Sequence, residues 1–301
     1  MTRNLSVSRL RAITYALIGY TSWVMADSSL KFTAEMHLPL YEIIGFLGLN
    51  GVVVLFIITW QRGEIKKLWP RRPRQQAGRA VLALGTNFCN VAAFKFLSLA
   101  SFYAIVFTTP MIVALLAAIF LRERLSLTAM VAIFIGFCGV LIAINPTGMQ
   151  FVSGGWMGSG LTMLGVLIFA LNVLWLRIMS QTESVQSMVL SSHLAAAVVG
   201  LVPMLIHFEP ISLGTFGVLF AAGFFNVIGN LSIFSALKYA PATTISQFHY
   251  SQIIAGTVVG FFIWHDIPKL HTLTGAGIII ACGIYMATQA RKGDTLTSVP
   301  T

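Results

Sequence analysis

Apolar runs of about twenty residues follow one another along the chain, separated by short polar or charged segments. A helix needs about 20 apolar residues to cross the roughly 30 Å of hydrocarbon in a bilayer. The pattern therefore predicts an all-α integral membrane fold of ten transmembrane helices. These are expected at residues 12–31, 39–60, 79–99, 102–121, 127–144, 155–176, 187–206, 213–236, 241–263 and 272–290.

The composition supports a membrane protein. Hydrophobic residues make up 57% of the 301 residues, charged residues only 9%, and the mean hydropathy is +0.85. A soluble domain carries roughly a quarter charged residues. Arg3, Arg9 and Arg11 precede the first apolar run, as in a signal peptide, but that run exceeds the roughly 7–15 residues of a signal-peptide core. It is expected to remain as the first helix.

The formal charge of +10 comes from basic residues in alternate loops rather than along one amphipathic face. Cytoplasmic loops carry such an excess, so the charge indicates topology and not nucleic-acid binding. Both chain termini are predicted on the cytoplasmic side of the inner membrane. The most basic loop, after the second helix, contains Arg62, Lys66, Lys67, Arg71, Arg72, Arg74 and Arg79.

The chain also resembles itself. Phe94 to Ile105 aligns with Phe234 to Ile245, Asn90 with Asn230, and Cys138-Gly139 with Cys282-Gly283. Each repeat holds five helices, and because five is odd the second copy must enter the membrane from the opposite side. We therefore predict two inverted five-helix repeats, residues 1–148 and 149–301, an architecture used by many secondary transporters.

The block from Phe94 to Pro146 resembles the repeat of the EamA-type branch of the drug/metabolite transporter superfamily. The shared features are a short Ala-rich turn, Pro110, Glu123 after the fourth helix, a Gly-rich fifth helix and a final Asn-Pro. The resemblance implies ten helices and transport of a small organic metabolite. Members handle amino acids, nucleosides, riboflavin, S-adenosylmethionine, quaternary amines or drugs. Many carry an Arg one turn beyond the acid of helix two, and this chain does not.

Ionisable residues within the predicted spans are candidate functional groups, because a charge at bilayer depth is costly unless it faces a cavity or a partner. Asp27 and Lys31 lie one turn apart on the first helix, Glu42 begins the second, and Lys95 lies in the third. They predict either a charged outer vestibule that meets substrate or protons, or structural ion pairs with the lysines reaching the interface.

The ninth predicted helix contains an unusually polar run around His249, flanked by Gln247 and Tyr250. Such a run is costly against lipid and is expected to face a central cavity, where it could hydrogen-bond or stack on a substrate. A satisfied structural histidine is the alternative. His193 has only Ser191 and Ser192 beside it, and packing is the favoured interpretation there.

Aromatic residues fall on helices that this fold turns toward its centre. They suit a planar or cationic substrate through stacking and cation–π attraction, although packing in membrane helices and interfacial belts is the favoured interpretation for most of them. The candidates are Tyr20, Trp23, Tyr103, Phe107, Trp175 and Phe248. Asn90 could line the path or bridge two helices by hydrogen bonds.

No GxSxG, HExxH or P-loop motif is present, and the three cysteines show no metal-ligand or disulfide spacing. We therefore expect no enzyme activity, cofactor or metal. The sequence predicts a gradient-driven transporter or exchanger, a monomer or homodimer, whose substrate is an amino acid or related zwitterion. Nucleosides, S-adenosylmethionine, vitamins and drugs remain alternatives within transport, and a membrane sensor or lipid-modifying protein is the alternative outside it. Asp27, Glu42 and His249 are the candidate proton-coupling groups.

Overall fold

A computed structural model describes residues 2–120, 127–144, 155–179, 182–236, 239, 248–249 and 251–297. Helices account for most of these residues, and no strand occurs among them. The α-helices are α1 (Thr2–Glu35), α2 (Leu40–Gln61), α3 (Pro73–Phe94), α4 (Leu99–Val106), α5 (Thr109–Phe120), α6 (Leu127–Ile144), α7 (Gly155–Met179), α8 (Val185–Met204), α9 (Leu213–Ala236), α10 (Ser251–Trp264) and α11 (Leu270–Thr297). A short 3₁₀ helix spans Ile65–Leu68.

Several of these helices are apolar enough to cross a bilayer. Within the described ranges, four meet both the length and the composition required of a span: Leu40–Gln61, Gly155–Leu176, Val185–Met204 and Leu213–Ala236. Shorter apolar helices include Met130–Ala143, Ile254–Trp264 and Leu270–Cys282. The predicted all-helical membrane architecture is confirmed at this level.

The fourth predicted span is divided into two helices. α4 ends at Val106 and α5 begins at Thr109, because Pro110 has no backbone N–H to continue the ladder. The hydroxyl of Thr108 donates to the carbonyl oxygen of Ile105 at 2.7 Å, and the hydroxyl of Thr109 donates to that of Val106. The hydroxyl of Thr109 thus satisfies the carbonyl of Val106, whose usual donor would be the missing N–H of Pro110, while the carbonyl of Ile105 also accepts the backbone N–H of Thr108 at 3.0 Å.

The third helix begins earlier than the apolar run suggested. α3 starts at Pro73, which occupies the first turn, where a missing N–H costs nothing. The placement of Arg79 in a basic loop was therefore wrong, because this residue lies in the second turn of α3 and is only 3% exposed. Lys95 follows the last residue of α3 and is exposed, so it does not lie inside the span.

Close antiparallel packing joins α2 to α8. A Cβ added at Gly48 or Gly51 would overlap Ala197 or His193, and one added at Gly200 would overlap Gly45, so the partner's numbers fall as those of α2 rise. α6 and α11 are also antiparallel, since Gly139 faces Gly275 and Gly136 faces Cys282. The other main contacts are of α1 with α9 and of α3 with α7.

The two ends of the bundle differ in charge. One end of the bundle, where α2 finishes and α8 begins, is rich in basic residues, and we call it the basic end. These residues are Arg62, Lys66, Lys67, Arg71, Arg72 and Arg74. There Lys67 and Ser184 are joined by a hydrogen bond, and Gln186 donates to Glu64 at 2.7 Å. At the opposite end, the hydroxyl of Tyr41 on α2 donates to the carbonyl of His207, beyond α8, at 3.0 Å.

Glu183 joins the segment after α2 to the start of α8 at the basic end, and it makes the stability of the fold depend on pH. Its carboxylate accepts the backbone N–H groups of Arg71 at 3.1 Å and Arg72 at 2.6 Å. Burial alone raises the pKa of Glu183, but these hydrogen bonds, with those of Gln76 and Ser187, outweigh burial and lower it below 4.5. The carboxylate therefore stabilises the fold above that pH, and the contribution is lost as the pH falls through the lowered value.

We expect Glu183→Gln to lower the free energy of unfolding by about 1–3 kcal/mol at pH 7, because charge-assisted hydrogen bonds are lost. Thermal denaturation of the purified protein between pH 7 and pH 3 measures the effect. The wild-type melting temperature should fall toward that of the variant below pH 4.5. Parallel curves for the two proteins would contradict this role of Glu183.

Candidate functional site

Aromatic rings from three segments meet between α1, α4 and α10. The ring of Tyr20 stacks on that of His249, with centroids 4.9 Å apart, and meets Trp23 edge-on at 5.6 Å. Phe107 meets His249 edge-on at 5.6 Å and stacks on Tyr103 at 6.3 Å. These five residues form what we call the aromatic cluster. All five were candidates from the sequence, and the structure brings them together.

A carboxylate borders this cluster. Tyr20, Trp23 and Asp27 follow one another at helical spacing on α1, so all three lie along one face. The hydroxyl of Tyr103 donates to Oδ2 of Asp27 at 2.8 Å and links α4 to α1. One carboxylate oxygen of a half-buried side chain is thereby held in place beside aromatic rings.

Glycines allow the rings to lie close to neighbouring backbone. A Cβ at Gly256 of α10 would lie 2.6 Å from Cδ2 of Tyr103, and one at Gly229 of α9 would overlap the indole of Trp23. The side-chain amide of Gln252 donates to the carbonyl of Tyr20 at 3.3 Å, while its own oxygen is buried without a hydrogen-bond partner.

The chemistry of this site favours cations. A carboxylate attracts a positive charge directly, and aromatic faces attract it through the ring quadrupole. Asp27 and the aromatic cluster can therefore hold an ammonium or another organic cation between α1, α4 and α10, with the rings available to stack on a planar group.

Other predicted site residues lie elsewhere. Glu42 is fully buried at the start of α2, where Oε1 accepts the backbone N–H of Glu209 at 2.8 Å and Oε2 has no partner. Asn90 lies on α3 against Gly165 of α7. Trp175 packs on Gly78 near the basic end, and Lys95 is exposed. Gln247 and Tyr250 lie outside the described residues, as does Glu123.

Lys31 binds Glu35 rather than Asp27. The ammonium of Lys31 forms an ion pair with Glu35 one turn later and lies 4.6 Å from the centroid of the Trp264 ring. The indole N–H of Trp264 donates to the other carboxylate oxygen of Glu35. The pairing that the sequence suggested between Asp27 and Lys31 is therefore replaced by a contact between the ends of α1 and α10. Asp27 instead accepts the hydrogen bond from the hydroxyl of Tyr103.

Arg79 was missed as a candidate. Its guanidinium lies between α3, α7 and α8, where it donates to Ser191 at 3.0 Å, Ser192 at 2.7 Å and Asn172 at 3.4 Å, and also to the carbonyl of Met188. Pro73 was the signal in the sequence, because a proline suited to a first helical turn places Arg79 inside the helix.

An all-helical bundle with several apolar spans is typical of a multi-pass membrane protein. The chain matches the EamA-like transporter family over residues 10–145 and again over residues 156–289, and it belongs to that family.

Named relatives are transporters. The chain is 26% identical over 193 residues to an S-adenosylmethionine uptake transporter of Rickettsia bellii, and the match covers 62% of each chain. It is 23% identical over 278 residues to a pseudopaline exporter of Pseudomonas aeruginosa, covering 92% of this chain and 95% of that one. A solved crystal structure shares the fold, with a TM-score of 0.66 and 16% identity over 93% of this chain and 98% of that one.

Proposed function

We propose that the chain is a secondary active transporter or exchanger that carries a small organic zwitterion, best represented by an amino acid, across the inner membrane. The observation that carries the proposal is Asp27, held by Tyr103 at 2.8 Å beside the aromatic cluster. A carboxylate at this depth is costly unless it has a partner, and a cationic substrate is such a partner.

Alternating access follows from an inverted repeat of two five-helix halves. The packing supports this architecture, because contacts between the halves occur in matching pairs. The contact of α1 with α9 matches that of α7 with α3, and the contact of α1 with α10 matches that of α7 with α5. The counterpart pairs, α2 with α8 and α6 with α11, run antiparallel, as inversion requires. The family also matches the chain twice. Ten spans and the boundary near residue 148 are part of this proposal.

In this arrangement the ammonium group of the substrate lies against Asp27 and the rings of the aromatic cluster. Energy comes from an ion gradient or from exchange, with Asp27, Glu42 and His249 as the groups that take up a proton. The basic end faces the cytoplasm, as the positive-inside distribution predicts, and both termini lie there.

S-adenosylmethionine is a second candidate substrate. It is itself an amino acid, its sulfonium is a permanent cation, and its adenine ring can stack on Tyr20 or Trp23. One named relative is an uptake transporter for this compound. Direction is a separate property, since another relative is an exporter.

Uptake by reconstituted liposomes tests the proposal. The purified chain is supplied with labelled amino acids, nucleosides, S-adenosylmethionine, riboflavin and quaternary amines, with and without a pH gradient. We expect uptake of an amino acid or S-adenosylmethionine above protein-free liposomes, and a change in rate when the gradient is dissipated. Uptake of uncharged nucleosides alone, or of none of these compounds, would contradict the proposed substrate class.

A further inference from the structure

Arg79 is a buried cation about two helical turns inside the basic end. It is 3% exposed, and its partners Asn172 on α7 and Ser191 and Ser192 on α8 lie at a similar depth, about 10 Å from the ends of their own helices. Burying a guanidinium at such a position carries a large desolvation cost. A side chain that only fills the space between helices would not need a charge.

The described partners of Arg79 are all uncharged. They are two serine hydroxyls, the side-chain oxygen of Asn172 and the carbonyl of Met188, while Nε is buried without a partner. The ion pairs found in the described part of the chain join Lys31 to Glu35 and Lys67 to Glu64. No carboxylate in that part of the chain lies within salt-bridge distance of Arg79.

One carboxylate is linked to Arg79, but only through neutral groups. Arg79 donates to Ser191, Ser191 to Gln76, Gln76 to Ser187, and Ser187 to Glu183. Glu183 in turn accepts the backbone N–H groups of Arg71 and Arg72 and forms no ion pair with Arg79 in the described part of the chain. The charge of Arg79 therefore stays uncompensated inside the bundle.

We infer that Arg79 receives the carboxylate of the substrate on the cytoplasmic side of the transport path, an inference that rests on the transport function proposed above. The guanidinium fork matches a planar carboxylate in two parallel hydrogen bonds, and the free Nε–H is one of its donors. Ser191 and Ser192 accept from Arg79 in the closed arrangement and can donate to an anion instead, because a hydroxyl does both.

The same hydrogen bonds close the basic end. Arg79 joins α3 to α7 through Asn172 and to α8 through its serines and Met188. A carboxylate that replaces these neutral acceptors releases α3 from both helices, so that anion binding and closure of this end exclude each other. Asp27 holds the cationic group and Arg79 the anionic group at successive stages of transport.

Matched ligand pairs test this role. Binding of each amino acid and of its α-carboxamide, which keeps the ammonium and lacks the carboxylate, is measured by thermal stabilisation of the purified protein and by competition with uptake. We expect the amino acid to bind about 100-fold more tightly than its amide, the size of a bidentate charge-assisted contact. Arg79→Lys should reduce this ratio about tenfold and Arg79→Gln should bring it close to one.

Arg74→Gln is the matched control. Arg74 lies five residues earlier on α3 and is exposed, so its removal changes the charge of the basic end without touching the site, and the ratio should stay at the wild-type value. The ratio of the two affinities is measured on the folded fraction of each variant, so a lower yield does not affect it. Arg79→Lys also keeps the buried charge.

The outcomes separate the two proposals. Wild-type protein that binds amino acids and amides equally, or an Arg79→Gln variant that keeps the wild-type ratio, overturns the role of Arg79 and leaves the transport function standing. A protein that neither binds nor transports any amino acid or S-adenosylmethionine overturns both.

Discussion

Asp27→Asn is expected to reduce transport at least about 100-fold while leaving the fold intact. The substitution keeps the size of the side chain and its hydrogen bond with the hydroxyl of Tyr103 at 2.8 Å, but removes the negative charge that faces the aromatic cluster. Loss of one partner from a desolvated charge pair costs a few kcal/mol, which corresponds to this factor. Initial uptake rates in proteoliposomes with a saturating pH gradient measure the effect.

Two variants accompany this measurement. Tyr103→Phe keeps the carboxylate and removes only its donor, so a smaller loss of about tenfold is expected. Glu209→Gln also removes one acidic charge, but the side chain is exposed and only its backbone N–H is used, so wild-type rates are expected. Undiminished, pH-dependent flux through Asp27→Asn would show that Asp27 is not part of the substrate site. If Glu42→Gln gave the same result, neither residue would be a proton-coupling group.

Gly200→Ala is expected to destabilise the protein by about 3 kcal/mol, at the upper end of the usual cost of overpacking. A Cβ at this position of α8 would overlap backbone atoms of Gly45 on α2, and backbone cannot rotate away as a side chain can. Small residues let membrane helices approach this closely. Thermal denaturation of the purified protein in detergent measures the loss.

The control is Gly217→Ala on α9, where an added Cβ meets no other atom within 4 Å. Alanine is the better helix former by up to about 1 kcal/mol, so this variant should be as stable as the wild type or slightly more so. Equal melting temperatures for the two alanine variants would show that α2 and α8 do not pack through Gly45 and Gly200.

Much of the helical layout could be predicted from apolar length alone, because a bilayer imposes a nearly constant span. Hydropathy does not show where a helix continues into a polar segment. For that reason the apolar pattern places Arg79 in a loop, although Pro73 marks the first turn of α3. Pro110 is the sequence signal for the break between α4 and α5, but hydropathy alone runs across it as one apolar span, since Thr108 and Thr109 are compatible with an apolar helix.

The candidate site was predictable as a set of residues and not as a set of contacts. Helical spacing places Tyr20, Trp23 and Asp27 on one face, but the partner of Asp27 depends on how α4 packs on α1. Sequence spacing favoured Lys31, which instead binds Glu35 beneath the Trp264 ring. Tertiary packing decides between partners at equal helical spacing, and one sequence contains no information on that packing.

Alternating access requires that the site between α1, α4 and α10 open to both sides of the membrane. Gln252 contacts Tyr20 there, so a transport-competent Gln252→Cys variant that lacks Cys89, Cys138 and Cys282 places a single thiol at the site. Sealed proteoliposomes are treated with a membrane-impermeant thiol reagent from outside or from within. We expect modification from either side, slowed by a transported amino acid. Modification from one side alone, unaffected by that amino acid, would contradict alternating access.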